Sequence, residues 1–266
     1  MNRTKTKTKT LIIFNLVAFI ATLIVNTLSN SLPLNGRTPA QLSDLYPNLF
    51  VPAGLTFSIW GIIYTWLLIF IIWQITALFS DKRLAKVAPI IDKLSWLFVI
   101  TCVLNIAWLF AWHWQFLLIS VLVMLTLLLS LIRLNIQVGT GFSKINSTEK
   151  WLIHAPFGIY LGWISVATIA NITAILIGNK WDGWGLSAGN WAIIMVSIGF
   201  LIATAIVILR NNVFYGLAVI WALYGIMLKR GTEISEASQQ IEHASLYALI
   251  ALAIVVIWRF RAWLKY

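Results

Sequence analysis

Long apolar stretches separated by short polar or basic segments make up almost the whole chain. Each stretch is close to the roughly 20 apolar residues that a helix needs to cross the hydrocarbon core of a bilayer. Membrane barrels instead show alternating segments of about 10 residues, a pattern that these stretches do not follow. We therefore predict an all-α polytopic membrane bundle with about eight spanning helices, at residues 11–28, 53–79, 89–112, 115–137, 150–177, 190–209, 212–229 and 244–264.

The composition agrees with this prediction. Hydrophobic residues make up 61% and charged residues 10% of the 266 residues, whereas soluble domains are about 25% charged. A formal net charge of +11 would also suit a nucleic-acid-binding protein, but here Lys and Arg fall at the ends of apolar stretches. In such places they set topology and contact anionic lipid. We therefore expect the lipid bilayer, and no nucleic acid, as the partner.

The distribution of basic residues predicts the orientation of the helices. If the N-terminus is cytoplasmic, the inner segments contain 15 of the 19 Lys and Arg residues. The outer segments contain the other four, Arg37, Lys180, Lys229 and Arg230. Cytoplasmic loops carry the excess of positive charge in membrane proteins. We therefore predict an integral protein of a bacterial cytoplasmic membrane, with both termini cytoplasmic and residues 29–52 and 230–243 outside.

The segments that flank the first two stretches leave structural alternatives. The first stretch also fits a cleaved signal peptide, but no small-x-small cleavage site follows Val25, which favours a retained helix. The loop at 29–52 contains four of the six prolines, and proline stiffens a free chain. This loop is either a fixed cover over the mouth of a cavity or a stiff connector. The basic segment at 81–86 predicts a turn, with Pro89 in the first turn of the third spanning helix.

The second predicted helix carries an aromatic stripe. Phe57, Trp60 and Tyr64 are three and four residues apart, so they lie on one side of a helix. Trp60 is seven residues past Ala53, roughly 10 Å deeper along the helix. Aromatic anchors usually lie at the headgroup level instead. The stripe is therefore either a packing surface between helices or the wall of a ligand cavity.

Two further helices carry polar and aromatic residues at helical spacing. Asn105 and Trp108 share a face of the third helix with Trp112. An asparagine inside a membrane is costly unless it is bonded, so Asn105 either links helices or contacts a ligand. In the fifth helix, Trp163, Ala167 and Asn171 follow one another at four-residue intervals.

The fifth helix also contains a glycine pair, Gly158 and Gly162, which allows another helix to approach closely. Residues of the second, third and fifth helices also lie at a similar depth in the membrane. Trp60, Asn105 and Asn171 each lie about seven residues, roughly 10 Å, below the outer end of their helix. Three such groups at one level can line a single cavity.

The sequence offers little for catalysis or metal binding. Cys102 is the one cysteine and lies inside the third predicted helix, so it forms no intrachain disulfide. His113, His154 and His243 fall at the ends of predicted helices. No carboxylate is predicted at mid-membrane, and no acid/base pair or cluster of metal ligands is seen. We therefore predict no catalytic residue and no metal site.

Three motifs carry a family resemblance. The segment Pro52 to Tyr64 with its Trp-Gly-x-x-Tyr end, the Leu-Asn-x-Ala-Trp at 104–108 and the spacing from Trp163 to Asn171 resemble the second, third and fifth helices of the TspO/MBR family. These are the tryptophan-rich sensory or translocator proteins, and the resemblance covers residues 11–177. It implies a five-helix unit at 1–179, with residues 180–266 as a three-helix membrane extension that packs on it.

The resemblance also implies a function and a set of site residues. Members of this family bind tetrapyrroles or sterol-like molecules in an apolar pocket and act in sensing or transport. Flat ligands of this kind gain dispersion and stacking energy against indole faces. Carried over residue by residue, the ligand-binding candidates are Trp60, Tyr64, Asn105, Trp108, Trp163, Ala167 and Asn171.

We therefore expect a receptor or carrier rather than an enzyme. No cofactor is expected to be required, and a bound tetrapyrrole such as a porphyrin would be the ligand itself. Two alternatives stay open at this point, namely a membrane enzyme that acts on tetrapyrroles and a secondary transporter of another small molecule. The assembly, as a monomer or a homodimer, is open as well.

Overall fold

The fold is a bundle of long helices joined by short turns. The computed structural model describes residues 2–32, 34–141 and 147–265, and these contain helices and turns but no strand. The helices are α1 (Asn2–Ser31), α2 (Pro39–Ser43), α3 (Ile59–Ile75), α4 (Asp81–Leu94), α5 (Leu97–His113), α6 (Leu117–Gln137), α7 (Ser147–Glu149), α8 (Ala155–Gly178), α9 (Ala188–Arg210), α10 (Val213–Arg230) and α11 (Glu236–Lys265).

Short turns of tighter or wider helix extend several of these elements. The 3₁₀ turns Gly54–Ser58 and Thr76–Phe79 continue α3 at its two ends, and a π-helical turn, Lys150–His154, joins α7 to α8. Further 3₁₀ turns lie at Leu34–Gly36 and Gly183–Gly185. As a result, α3 and α8 are parts of longer rods that can cross a membrane.

Seven continuous helical segments of the described chain are long and apolar enough to span a bilayer. They are Lys5–Ser31, Gly54–Phe79, Leu117–Gln137, Ser147–Gly178, Ala188–Arg210, Val213–Arg230 and Glu236–Leu264. The pair α4 and α5, bent by 55° at their junction, passes the same test when taken together and gives up to eight. The predicted all-α polytopic membrane bundle of about eight spans is therefore confirmed.

The boundary predicted for the third span is wrong. The helix expected at 89–112 is broken at Ser95, where a φ of 48° lies outside the helical region, and α5 begins at Leu97. Pro89 lies in the interior of α4 rather than in the first turn of the span. The buried residues of α4 are Leu84, Val87, Ile90, Ile91 and Leu94. Their spacing makes α4 a separate amphipathic helix, a periodicity that the prediction overlooked.

Three phenylalanines join the helices at the centre of the bundle. Phe70 of α3, Phe98 of α5 and Phe157 of α8 are each fully buried. Their ring centroids lie 5.4–5.9 Å apart in edge-to-face arrangements, which is the geometry that aromatic pairs prefer. This cluster fixes α3, α5 and α8 against one another in the half of the bundle away from the first loop.

The glycine pair of α8 is the contact surface for α10. A β-carbon at Gly162 would lie 2.6 Å from the carbonyl oxygen of Tyr215 and 2.9 Å from the β-carbon of Ala218. A β-carbon at Gly158 would overlap the side-chain oxygen of Asn212. The close approach predicted from the sequence is therefore present, and the partner is a helix that lies more than 50 residues further along the chain.

The α8–α10 contact predicts a difference between two glycine substitutions. Gly162→Ala should destabilise the protein by roughly 1–3 kcal/mol, because the added methyl group has no space. Gly199→Ala in α9 is the matched control, since a β-carbon there meets no atom within 4 Å. Thermal unfolding in detergent measures both, and equal melting temperatures for the two variants would contradict the packing described here.

Candidate functional site

The candidate site begins at the turn that leads into α3. The backbone N–H of Ala53 donates to the carbonyl oxygen of Gly225 at 2.9 Å, and the indole N–H of Trp221 donates to the carbonyl oxygen of Thr56 at 2.9 Å. A β-carbon at Gly225 would overlap the Thr56 hydroxyl and approach Pro52 to 3.0 Å. The turn that precedes Trp60 is thus held directly by α10.

Trp60 is the centre of an aromatic cluster between α3 and α8. Its ring stacks on Tyr64 with centroids 5.2 Å apart and meets Tyr160 and Trp163 edge-on at 5.8 and 6.3 Å. Phe57 also contacts Trp163, at 6.0 Å. Phe57 and Trp60 are half-buried while Tyr160 and Trp163 are buried. The cluster therefore extends from the rim of the bundle into its interior.

Five of the seven candidates line one small cavity. They are Trp60, Trp108, Trp163, Ala167 and Asn171, and the other lining residues are Ser43, Pro52, Phe57, Trp112, Val166 and Ala170. The three helices that the depth argument brought to one level do meet here. The cavity measures only about 40 Å³, however, whereas small-molecule sites measure roughly 300–1,000 Å³. The aromatic rings therefore fill most of the space that a ligand would need.

Tyr64 and Asn105 do not line this cavity but belong to a buried hydrogen-bond network beside it. The side-chain oxygen of Asn105 accepts from Asn26 at 2.9 Å and from the Tyr64 hydroxyl at 3.2 Å. The Asn105 amide nitrogen donates to the Tyr160 hydroxyl at 3.2 Å. These contacts connect α5 to α1, α3 and α8. In this geometry Asn105 links helices, and the network supports Trp60 through the stacked ring of Tyr64.

Two indole groups in the cavity wall lack hydrogen-bond partners. Nε1 of Trp108 and Nε1 of Trp163 are buried and make no hydrogen bond to any described residue. An indole N–H can only donate, and a buried unpaired donor costs roughly 1–3 kcal/mol. By contrast, Trp112 donates to the carbonyl oxygen of Pro39 at 3.3 Å and Trp191 to that of Gly183 at 2.7 Å. Unpaired donors at this site therefore require an explanation.

Asn171 adds an amide side chain to the wall. Its amide hydrogen-bonds with the Ser120 hydroxyl of α6 at 3.1–3.2 Å. That single partner leaves capacity for further bonds, because an amide has two donors and an acceptor with two lone pairs. None of the lining residues is an Asp, Glu, Lys, Arg or His. The cavity can therefore stack on a ligand and donate hydrogen bonds to it, but it offers no general acid or base.

The first loop lies over this cavity and is held by contacts at both of its edges. Asn35 donates to the carbonyl oxygen of His113 at 2.9 Å, and the Tyr46 hydroxyl donates to Gln115 at 3.1 Å. On the other side, Lys229 of α10 forms a 2.6 Å ion pair with Asp44. Of the two interpretations that the prolines left open, these contacts fit a cover pinned at both edges. The covering loop contributes Ser43 and Pro52 to the cavity wall.

A larger cavity, which no pattern in the sequence indicates, lies on another side of α8. It measures about 400 Å³ and lies between residues 47–50 of the first loop, α8 and α9. Trp181, Trp184 and Trp191 pack on one another at its edge with centroids 5.0–5.9 Å apart. Most of its lining is aliphatic. Aliphatic positions in a membrane helix look alike in sequence, so no local signal distinguishes this wall from lipid-facing surface.

Metal chemistry has no evident place in the described part of the chain. No group of three or more His, Cys, Asp and Glu side chains lies close enough there to hold a metal ion. Cys102, the one cysteine, is buried inside α5.

Comparison with known proteins gives one result. A family model described as "TSPO-like protein" matches residues 12–258, almost the whole chain. The match continues through α9, α10 and most of α11, beyond residue 177 where the resemblance noted in the sequence ends. Searches of curated proteins and of solved structures find no significant match.

The unpaired indoles predict a stability difference between two similar variants. Trp163→Phe removes an unpaired donor, whereas Trp112→Phe removes the bond to the Pro39 carbonyl. Both substitutions remove the same side-chain volume, because each replaces an indole with a phenyl ring. Without ligand, Trp112→Phe should therefore be less stable than Trp163→Phe by roughly 0.5–1.5 kcal/mol. Thermal unfolding of the ligand-free proteins measures this difference, and a Trp163→Phe protein as unstable as Trp112→Phe would mean that the Trp163 N–H is paired after all.

Proposed function

Because this chain belongs to the family of TSPO-like proteins, we propose that it is an integral membrane receptor or carrier for a flat hydrophobic ligand. The ligand is a tetrapyrrole, such as a porphyrin, or a sterol-like molecule, and the role is sensing or transport. The ligand contacts Trp60, Trp108, Trp163, Ala167 and Asn171. Tyr64 and Asn105 hold this wall in place from behind.

The observation that carries the proposal is the pair of unpaired indole N–H groups on one cavity. Donors left unpaired in an apolar interior are costly, and here two of them occur with aromatic rings and Asn171. A flat ligand with hydrogen-bond acceptors at its edge, such as carboxylate or carbonyl oxygens, satisfies both donors. Its faces then stack on the indoles, which adds roughly 0.5–1.5 kcal/mol per ring pair beyond burial.

Binding requires the cavity to open. A space of about 40 Å³ holds no porphyrin, so the rings of Phe57 and Trp60 must move apart from Trp163. These two rings are half-buried and lie next to the covering loop. The ion pair between Lys229 and Asp44, which helps to hold that loop, is partly exposed, and exposed ion pairs contribute little stability. We infer that the ligand enters at this rim by displacing the loop and Trp60.

An enzymatic role in tetrapyrrole breakdown has less support. The cavity lining lacks ionisable side chains, and proton transfer by a positioned side chain typically contributes about 10²–10⁴-fold to an enzymatic rate. Incubation of the purified protein with a porphyrin, followed by recovery and mass analysis, separates the two roles. We expect intact ligand, and a time-dependent product that is absent in the Trp163→Ala protein would overturn the binding role.

The orientation in the membrane is also part of the proposal. The covering loop and the turn at 179–187 face the outside, and the basic end of the bundle with both termini faces the cytoplasm. The positive-inside rule supports this arrangement. Single cysteines at positions 37 and 83, in a protein whose Cys102 is replaced by Ala, test it in intact cells. We expect an impermeant thiol reagent to label position 37 alone, and labelling of position 83 alone would reverse the orientation.

Substitutions in the cavity wall predict a loss of ligand affinity. Trp60→Ala and Trp163→Ala should each weaken porphyrin binding about tenfold or more, because stacking and buried contact are both lost. Asn105→Leu should instead lower the melting temperature and change affinity little, because it breaks the network between helices. Titration of porphyrin absorbance against purified protein measures affinity. If both tryptophan variants bound porphyrin like the parent protein, the ligand would not bind in this cavity.

A further inference from the structure

The end of the bundle away from the aromatic cavity has a pocket of a different chemical character. It measures about 730 Å³ and lies between the last turns of the α3 rod, α4 and the start of the α8 rod. Its polar lining residues are Thr76, Arg83, Lys86, Thr148 and Glu149, and its apolar ones are Trp73, Ala85, Val87, Pro89 and Ile90. The proposed ligand site uses none of these residues.

Two cations in this pocket are available to an anion. Arg83 and Lys86 lie one turn apart on the exposed face of α4, and neither side chain forms an ion pair within the described part of the chain. The acidic residues of α4 are already engaged, since Asp81 pairs with Lys5 at 2.9 Å and Asp92 accepts from Thr8 at 3.2 Å. Glu149, the acidic residue in the lining, also interacts with another residue and is not a free carboxylate.

An apolar groove along the α3 rod borders the pocket. The groove measures about 510 Å³ and is lined by Ile72, Ile75, Thr76, Phe79, Ser80 and Arg83. Thr76 and Arg83 line both spaces, so the pocket and the groove are adjacent. Ile72 is 55% and Phe79 84% exposed, as expected of side chains that face lipid. A cationic pocket thus adjoins an apolar channel that leads into the membrane.

We propose that the pocket and groove together bind one anionic phospholipid of the leaflet at the basic end of the bundle. The phosphate group lies between Arg83 and Lys86, with the hydroxyls of Thr76 and Thr148 as additional donors. One acyl chain follows the groove past Phe79 and Ile72. Trp73 lines the pocket, and tryptophan favours the headgroup level of a membrane. The site is independent of the proposed function.

Charge variants on one helix provide the test, since α4 has two cations in the pocket and two outside it. Arg83→Gln/Lys86→Gln removes the pocket pair, and Lys82→Gln/Lys93→Gln removes the same charge from residues that do not line it. The full-length proteins are placed in nanodiscs of phosphatidylcholine doped with phosphatidylglycerol, and native mass spectrometry counts the phosphatidylglycerol retained on each.

The pocket variant should lose phosphatidylglycerol affinity about 25-fold, because each cation near a membrane surface contributes about fivefold. The control variant should lose about twofold, since its charges are further from the phosphate and screened. Equal losses in the two variants would mean general attraction to the surface and would overturn the site. All four side chains are exposed, so both variants should fold, and their elution from a sizing column verifies this.

Two further arms distinguish a lipid from a free phosphate. Phe79→Ala should lower phosphatidylglycerol retention, because the acyl chain loses a wall of its groove. Excess glycerol phosphate should not displace the lipid from the parent protein, because it lacks the chain. Complete displacement by glycerol phosphate, or a Phe79→Ala protein that retains lipid like the parent, would show that the pocket recognises only the phosphate.

Discussion

Every polar group inside this bundle must find its partner within the protein, because hydrocarbon supplies none. Contacts between distant helices meet this requirement for some buried polar side chains, while other buried polar atoms have no partner among the described residues. Asn15 of α1 donates to Gln74 of α3 at 2.9 Å, and Asn105 connects α5 to three other helices. Such contacts specify which helices are neighbours, since apolar surfaces alone are interchangeable in lipid.

The candidate site is one of the places where this requirement is not met. Trp108 and Trp163 are tryptophans with buried, unpaired indole nitrogens, and both lie on the one aromatic cavity. Asn105 is hydrogen-bonded to three partners, whereas the indole N–H groups of Trp108 and Trp163 are left unpaired beside the aromatic rings that must separate to admit a ligand. Tyr64 and Tyr160 contact both Asn105 and Trp60, so the hydrogen-bond network supports the aromatic cluster from inside the bundle. Trp60 itself is half-buried at the rim.

α10, one of the last three helices, takes part in this arrangement. α10 lies against the glycine face of α8, holds the turn before α3 through Gly225 and Trp221, and pairs with the covering loop through Lys229. Removal of α10 would leave the turn that precedes Trp60 without these bonds. This role also agrees with a family match that includes α10.

Hydrophobic length and helical spacing predicted much of this molecule. Apolar stretches of spanning length predicted the helical bundle. The equal depth of Trp60 and Asn171 predicted that both line one cavity. The break at Ser95 was missed because a proline was interpreted as the start of a helix, whereas the apolar period of α4 determines the local structure. The partner of Gly162 could not be predicted, because a contact with Tyr215 leaves no local trace. The small volume of the aromatic cavity could not be predicted either, because it depends on how aromatic rings from different helices pack against one another.

The indole N–H resonances of Trp108 and Trp163 test the central claim most directly. In a ¹⁵N-tryptophan-labelled protein, assigned with single Trp→Phe variants, the two should resonate as unbonded donors without ligand. Saturating porphyrin should shift both towards hydrogen-bonded values and leave Trp191, which is already bonded to Gly183, where it was. If porphyrin bound while the Trp108 and Trp163 resonances stayed unchanged, the ligand would lie elsewhere and the aromatic cavity would be helix packing alone.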